Sequence, residues 1–178
     1  MTPLICQNYI DGKWVNNVGG SILESRNPAY KNEVVATFPR STSADVDAVV
    51  DSARQAYRRW RLVPPPARAE YIQRVGEILR EQKEELALLL TREMGKPLAE
   101  ARGDIQEDID CAFYSAAEGR RMFVQTTPSE MPNKFAMTGR SPIGVCALIT
   151  PWNFPIAIPC WKAMPALVWG NTIFNIFQ

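Results

Sequence analysis

The sequence contains no histidine, which removes several common kinds of catalytic and metal site. Zinc sites built from cysteine and histidine are excluded within these residues. So are arrangements in which a histidine activates a serine or a cysteine. No two of the four cysteines stand in a C-x-x-C spacing; they are Cys6, Cys111, Cys146 and Cys160. We therefore expect no metal site, and thiols that stay reduced, as in a cytosolic protein.

Positive charge in excess and long apolar runs are also missing. Lys+Arg number 20 against 19 Asp+Glu, a net charge of +1, whereas nucleic-acid and anionic-membrane binding need a clear basic excess. No run of about 18 apolar residues is present, and residues 1–10 do not resemble a secretory signal. We expect a soluble, cytoplasmic protein with no nucleic-acid or membrane partner.

Phosphate-binding loops are absent as well. The sequence contains neither G-x-G-x-x-G nor G-x-x-x-x-G-K-[ST], the two glycine-rich patterns whose backbone N–H groups surround phosphates. Sequence patterns alone therefore identify no cofactor. The 178 residues, 46% of them hydrophobic, suffice for one domain with a substantial core.

The first 40 residues predict short strands. Asp11-Gly12 lies between two β-prone segments and predicts a hairpin over 8–15. A second β-prone run, 33–38, is closed by Pro39. A helix follows, with Ser43 as its predicted N-cap. Its apolar residues recur at helical spacing: Val46, Val49, Val50, Ala53, Tyr57 and Trp60.

Further helices are predicted up to residue 119. Three prolines, 64–66, should stop the first helix, and the next helical stretch begins near Ala67 and runs to Gly95. Its apolar positions are Tyr71, Val75, Ile78, Leu79, Leu86, Leu89, Leu90 and Met94. A third helix, ending at Gly119, has an apolar face formed by Ile105, Ile109, Ala112, Phe113 and Ala116.

The last 56 residues have a different pattern. Residues 123–142 are rich in turns and predict a hairpin or arm. Residues 143–149 are almost continuously apolar, as expected for a strand buried on both faces of a parallel sheet. A turn over 150–155 leads into an apolar helix over 156–169, which Pro165 should kink. A second strand then begins at Thr172, so the segment predicts a β-α-β unit.

The turn Thr150-Pro151-Trp152-Asn153-Phe154-Pro155 is the unusual feature of this unit. It follows a strand at the edge where open α/β sheets bind their ligands. Two prolines restrict the backbone around Asn153, whose amide could donate to a developing negative charge, as in an oxyanion hole. Asn153 could instead cap the helix that follows, a position at which asparagine is common. The residues themselves leave both interpretations open.

The stretch from Ser141 to Pro155, with the later Trp161-Lys162, Met164-Pro165-Ala166-Leu167 and Gly170-Asn171-Thr172, resembles the NAD(P)-dependent aldehyde dehydrogenase superfamily. Other segments agree with this resemblance, which extends over nearly all of residues 5–174. They are Tyr9-Ile10-Asp11-Gly12-Lys13-Trp14, Asn27-Pro28, Glu93-Met94-Gly95-Lys96-Pro97 and the stretch 126–134.

The resemblance implies an α/β fold, the N-terminal part of a Rossmann-like nucleotide-binding domain. Residues 1–122 would supply its N-terminal hairpins and helical layer. Residues 123–142 would begin an oligomerisation arm that pairs identical subunits. Residues 143–178 would form the first, incomplete β-α-β of the nucleotide-binding sheet.

The resemblance also implies roles at the turn. Ile149, Thr150, Pro151, Trp152 and Asn153 would line the site for NAD or NADP. Asn153 would also be the oxyanion donor when a cysteine thiolate attacks the aldehyde substrate. In the family, hydride then passes to the nicotinamide, and a glutamate base helps water release the acid.

Some family features are not found in these residues. After Gly170-Asn171-Thr172 the family continues to a K-P-A or K-P-S segment, whose lysine binds the adenosine ribose; here the residues are Ile173-Phe174-Asn175-Ile176-Phe177-Gln178. Trp169 replaces the small residue that usually precedes this glycine. The pyrophosphate loop, the base glutamate and the G-Q-x-C nucleophile are not present. We expect Cys146 and Cys160 to be small core residues instead of a substitute nucleophile.

Three interpretations follow. The first is a truncated and catalytically inactive fragment, because the residues from Asn175 read like out-of-frame sequence. The second is a non-catalytic module that pairs with or regulates full-length relatives through the arm. The third, a helical interaction module without nucleotide binding, fits poorly with residues 141–155. In each case the open edges of the strand at 143–149 predict a marginally stable, aggregation-prone domain.

Overall fold

A computed structural model describes the backbone of residues 2–177 and the side chains of residues 2–176. Its N-terminal strands form a three-stranded sheet, in which β5 is central, and a separate hairpin, β2–β3. β1 is parallel to β5, and β4 is antiparallel to it. The strands are β1 (Leu4–Ile5), β2 (Asn8–Ile10), β3 (Lys13–Val15), β4 (Ile22–Arg26) and β5 (Val34–Pro39).

The predicted hairpin over 8–15 is confirmed. Asp11 and Gly12 form its two-residue turn with φ of 51° and 75°. A turn with positive φ at both central residues matches the twist of the flanking strands, and this explains why Asp-Gly is favoured there.

Five helices make up most of the remaining structure, and the start of the first differs from the prediction. Thr42, not Ser43, is the N-cap, because Thr42 has the extended backbone of a cap residue. The Asp45 carboxylate accepts hydrogen bonds from the Thr42 backbone N–H (2.7 Å) and from its hydroxyl (2.9 Å). The helices are α1 (Ser43–Trp60), α2 (Pro65–Glu81), α3 (Lys83–Met94), α4 (Leu98–Glu118) and α5 (Ala157–Val168).

The first helix ends before the proline run, as predicted, and the prolines begin the next helix. α1 ends at Trp60, and Pro65 and Pro66 occupy the first turn of α2, where proline is accommodated because the first N–H groups of a helix have no intrahelical partner. The helical stretch predicted from Ala67 to Gly95 is two helices, which meet at Gln82.

The buried face of α2 is rotated from the predicted one. Tyr71 is 64% exposed and Ile78 is also exposed, whereas Ile72 and Gly76 are buried. Gly76 faces α4 so closely that an added Cβ would lie 3.2 Å from the Cβ of Ala112. The helices therefore pack through small residues, which apolar periodicity does not identify.

Two buried clusters form the core, and both include α4. The first joins α2, α4 and α5 and contains Ala69, Ile72, Ala112, Ala116, Cys160, Met164 and Val168. The second joins α3 to α4 and contains Ala87, Leu90, Ala101, Ile105 and Ile109. The apolar positions predicted for the third helix at 105, 109, 112 and 116 are thus confirmed.

The C-terminal segment contains the predicted hairpin and β-α-β unit. β6 (Thr126–Pro128) and β7 (Phe135–Met137) form the hairpin. β8 (Val145–Thr150) and β9 (Thr172–Phe177) are parallel and are joined by α5. The prediction that this first strand is buried on both faces is wrong: Ala147 and Ile149 are exposed, while Leu148 and Thr150 are buried. Within residues 2–177, β8 pairs with β9 only.

Side-chain hydrogen bonds tie the first two helices to this C-terminal unit. They join Trp60 Nε1 to the Leu167 carbonyl (3.0 Å), Arg68 Nε to the Val168 carbonyl (2.9 Å) and Thr172 Oγ1 to the Ala53 carbonyl (2.8 Å). They span 100 to 119 residues of sequence. α1 and α2 are thereby held against α5 and β9.

Candidate functional site

The five predicted site residues lie at the end of β8 and in the turn that follows it: Ile149 and Thr150 are the last two residues of β8, and Pro151, Trp152 and Asn153 begin the turn towards α5. This turn leaves the carboxyl end of β8, the edge at which parallel sheets bind ligands. Ile149 and Trp152 are 60% and 71% exposed, so two large apolar side chains three positions apart in sequence face solvent. Asn153 is also exposed, and Pro151 is half-buried.

Asn153 does not cap α5, so that alternative is wrong. The N-cap residue is Ile156, three positions later, and it makes no side-chain capping bond. The first N–H groups of α5 bond to backbone carbonyls: Ile158 N–H donates to Phe154 (3.2 Å) and Cys160 N–H to Ile156 (3.0 Å). Within the described part of the chain, no hydrogen bond uses the Asn153 side-chain amide, which leaves both its N–H groups available to a ligand.

Thr150 brings a second polar group to the turn. Its side chain is 2% exposed, and its Oγ1 has no hydrogen-bond partner among residues 2–177. Buried hydroxyl groups in folded proteins are nearly always bonded to protein, ligand or water. An unpartnered hydroxyl directly before Pro151 is therefore consistent with a ligand or water site at this end of β8.

Lys96, for which the sequence predicts no site role, lies against the turn. Lys96 Nζ is 3.3 Å from the Asn153 carbonyl oxygen and 4.0 Å from the centre of the Phe154 ring. The same ammonium group forms an ion pair with Asp104 of α4, and both side chains are about nine-tenths buried. The sequence predicts a helix end at Gly95, but the direction in which the Lys96 side chain points depends on tertiary packing.

A second group of titratable side chains lies in the core instead of at the turn. Asp108 is fully buried on α4, and burial raises its pKa to about 7, with a smaller contribution from the charges of Asp104 and Glu107. The neighbouring thiol of Cys160 on α5 lowers the pKa of Asp108 and is the largest influence after burial. Neither Asp108 oxygen meets hydrogen-bond geometry with a partner in residues 2–177.

The thiols of Cys111 and Cys160 are not activated. Burial raises the pKa of Cys160 far above its ordinary value, and it raises the pKa of Cys111 as well; raised values leave little thiolate for nucleophilic attack. Cys160 is a buried core residue, as predicted. Cys146 is only half-buried, although it alternates with the buried Leu148 and Thr150, so the prediction that it is a core residue is wrong. Cys6 is exposed directly after β1.

Other kinds of site find little support in the described residues. Among residues 2–177, no three or more Cys, Asp or Glu side chains are grouped so as to hold a metal ion, and no helix combines the length and apolarity that crossing a membrane requires. A groove of about 260 Å³ between α2 and the end of α4 includes no residue of the turn.

Comparison with known sequences agrees with the resemblance in the motifs. The model of the aldehyde dehydrogenase family matches residues 14–175. An alpha-ketoglutaric semialdehyde dehydrogenase of Bacillus subtilis is 40% identical over 166 residues, which are 93% of this chain and 34% of that enzyme. An alpha-ketoglutarate semialdehyde dehydrogenase of Haloferax volcanii is 41% identical over 167 residues, 94% of this chain and 35% of that enzyme.

Solved structures confirm the predicted α/β fold class. An NAD-dependent aldehyde dehydrogenase of Sinorhizobium meliloti superposes with a TM-score of 0.95 at 32% identity, covering 99% of this chain and 36% of that one. An NADP-dependent enzyme of E. coli superposes with a TM-score of 0.92 at 34% identity, covering 97% and 36%. The chain spans about a third of the length of these relatives and corresponds to an N-terminal portion of them. With the family model matched over residues 14–175, the chain belongs to the aldehyde dehydrogenase family.

Proposed function

We propose that this chain supplies the cofactor-facing turn and the oxyanion donor of an enzyme that oxidises an aldehyde to a carboxylic acid with NAD or NADP. The observation that carries the proposal is the free, exposed amide of Asn153 at the carboxyl end of a parallel strand. An amide that makes no hydrogen bond within the protein has both of its N–H groups free to donate to an oxyanion when one forms.

The residues of the turn suit a dinucleotide. Ile149 and Trp152 present apolar surface against which a flat ring can pack, while Thr150 carries a buried hydroxyl without a partner. We assign Ile149, Thr150, Pro151, Trp152 and Asn153 to this site. When bound, NAD(P) supplies the hydride acceptor; the residues of this chain bind it, orient it and exclude water from one side.

The proposed substrates are semialdehydes, in which a carboxylate accompanies the reacting aldehyde. The support comes from the names of several relatives, including the alpha-ketoglutaric semialdehyde dehydrogenase of Bacillus subtilis and a malonate-semialdehyde dehydrogenase of Bacillus licheniformis, 42% identical over 165 residues. The nucleophile and base of the reaction would come from residues outside these 178. The G-Q-x-C segment of the family is not among them, and burial raises the pKa of the thiols of Cys111 and Cys160.

The role of Asn153 is tested in a chimera that joins residues 1–174 to the remaining two thirds of the Bacillus subtilis enzyme. We expect NADH formation from alpha-ketoglutaric semialdehyde, and a fall in kcat of about a hundredfold or more for Asn153→Ala, with KM changed little. Asn16→Ala, an exposed asparagine on the N-terminal part, is the matched control. An active chimera whose kcat does not respond to Asn153→Ala would rule out the oxyanion role. The 178-residue chain alone should form no NADH.

A specific feature also favours the second candidate, a non-catalytic module that pairs subunits through residues 123–142. Large apolar side chains are exposed along the β6–β7 hairpin and beside it: Phe123, Met131, Phe135 and Met137. Clustered exposed apolar residues are typical of interaction surfaces. The test is co-purification of the chain with a tagged aldehyde dehydrogenase relative. Loss of co-purification in the double variant Phe135→Ser with Met137→Ser would support pairing, whereas unchanged co-purification would exclude the β6–β7 hairpin as the pairing surface.

A further inference from the structure

We propose that Lys96 is a positioning residue for Asn153 and, together with Asp104 and Phe154, holds the turn after β8 in the conformation that presents the amide. The inference rests on the proposed function only in giving Asn153 a catalytic task. The three contacts that define it belong to the fold: a carbonyl, an aromatic ring and a carboxylate converge on one ammonium group.

The need for such a residue follows from the turn itself. Asn153 is exposed, its side chain has no hydrogen bond within residues 2–177, and the residue lies three positions before the N-cap of α5. An oxyanion donor is effective only when it is preorganised, since reorientation during the reaction cancels part of the gain. Something other than helix capping must therefore fix the backbone of residue 153.

Lys96 reaches that backbone directly. Its Nζ donates to the Asn153 carbonyl at 3.3 Å and lies 4.0 Å from the centre of the neighbouring Phe154 ring. Two consecutive residues of the turn are thus held by one cation, one through its main chain and one through a cation–π contact. A single contact would leave the backbone of residues 153 and 154 free to rotate about that contact. Two contacts at successive residues restrict this rotation.

The position of Lys96 is fixed from two sides, by the end of α3 at Gly95 and by Asp104 on α4. Gly95 ends α3 with a left-handed backbone of φ 80°, and an added Cβ there would lie 2.7 Å from Cγ of Pro28. On the other side, Asp104 on α4 pairs with the ammonium group, and both side chains are about nine-tenths buried. The lysine is anchored to the helical layer and extends from it to the turn.

The experiment measures the order of the turn in the 178-residue chain by ¹⁵N relaxation. We expect the backbone amides of Trp152, Asn153 and Phe154 to have order parameters near the rigid value of about 0.85, and the Lys96 side-chain methylene signals to be shifted by the ring current of Phe154. Mobile amides, with order parameters below about 0.6, and unshifted methylene signals in this unsubstituted chain would already overturn the proposal.

Variants separate positioning from folding. Lys96→Met alone would leave Asp104 buried and unpaired, so the test variant is Lys96→Met with Asp104→Asn. Its order parameters at 152–154 should fall below about 0.6, while the amides of α4 stay rigid. Lys96→Arg should retain the order of the turn, and Lys162→Met, an exposed lysine on α5, should leave it unchanged.

Phe154→Leu changes no charge and provides a second route if the double variant does not fold. It should loosen residues 152–154 partially, because one of the two contacts is lost. A turn that remains as rigid in these variants as in the unsubstituted chain would refute the role of Lys96. The readout is order and not turnover, so the result is independent of whether the chimera oxidises an aldehyde.

Discussion

Asp108 should make the protein less stable as pH rises through the neutral range. The carboxyl group is fully buried on α4, and burial raises its pKa from 3.8 to about 7. At pH values between 3.8 and about 7, Asp108 keeps its proton in the folded protein but loses it in the unfolded chain. The free energy of unfolding therefore falls with rising pH; the stabilisation is complete below about pH 3.8 and is lost as pH passes through about 7.

The size of the effect follows from the same two values. A difference of one pKa unit corresponds to about 1.4 kcal/mol, so the full range is about 4 kcal/mol, of which about 3 kcal/mol falls between pH 5 and 8. Since a domain of this size is stabilised by roughly 5–15 kcal/mol in total, the change is large enough to measure.

The assay is urea unfolding at several pH values between 5 and 8, followed by circular dichroism, for the unsubstituted chain and for Asp108→Asn. The variant should lose most of the pH dependence, because asparagine does not titrate in this range; its absolute stability is not part of the test. Asp110→Asn, an exposed position on the same helix, should retain the full dependence. The reasoning is refuted if the unsubstituted chain shows no decline, or if Asp108→Asn declines as steeply.

Two further predictions, one on helix packing and one on buried hydrogen bonds, are also measured by urea unfolding. Gly119→Ala should cost about 1–3 kcal/mol, because the new Cβ would lie 2.8 Å from the Pro65 carbonyl oxygen. Gly103→Ala, in α4 with open space around it, should instead stabilise by up to about 1 kcal/mol; equal effects at the two glycines would contradict the close approach at residue 119. Asn171→Ala should cost about 2–4 kcal/mol, because it leaves two backbone N–H groups at the start of β8 without the acceptor that now lies 2.8 and 3.1 Å away. A loss below about 0.5 kcal/mol would mean that water replaces those bonds.

Local patterns identified the parts of the fold that local chemistry determines. Asp11-Gly12 predicted its hairpin because few residue pairs accept positive φ at both turn positions. The apolar spacing of Ile105 and Ile109 predicted the core face of α4, because both residues are large and the helix is long. The turn around Asn153 could be recognised because its two prolines and its amide are contiguous in sequence.

Features that depend on partners distant in sequence were not predictable. The buried face of α2 is determined by Gly76, where α4 approaches, and periodicity assigned Tyr71 to the core instead. Likewise, Lys96 and Asp108 are charged residues for which exposure is the ordinary expectation. Their burial becomes evident only when α4 is placed against the turn and against α5.

The long-range hydrogen bonds between α1 or α2 and the C-terminal unit have a consequence for biosynthesis. The acceptor of the Trp60 indole is the carbonyl of Leu167, 107 residues further along the chain. At about 10 residues per second, the ribosome needs roughly ten seconds to make that stretch. During this time the apolar face of α1 has emerged but has no surface to dock against. α1 can therefore pack only after α5 has been synthesised. Chaperone binding during that interval would protect the exposed apolar face from misassembly.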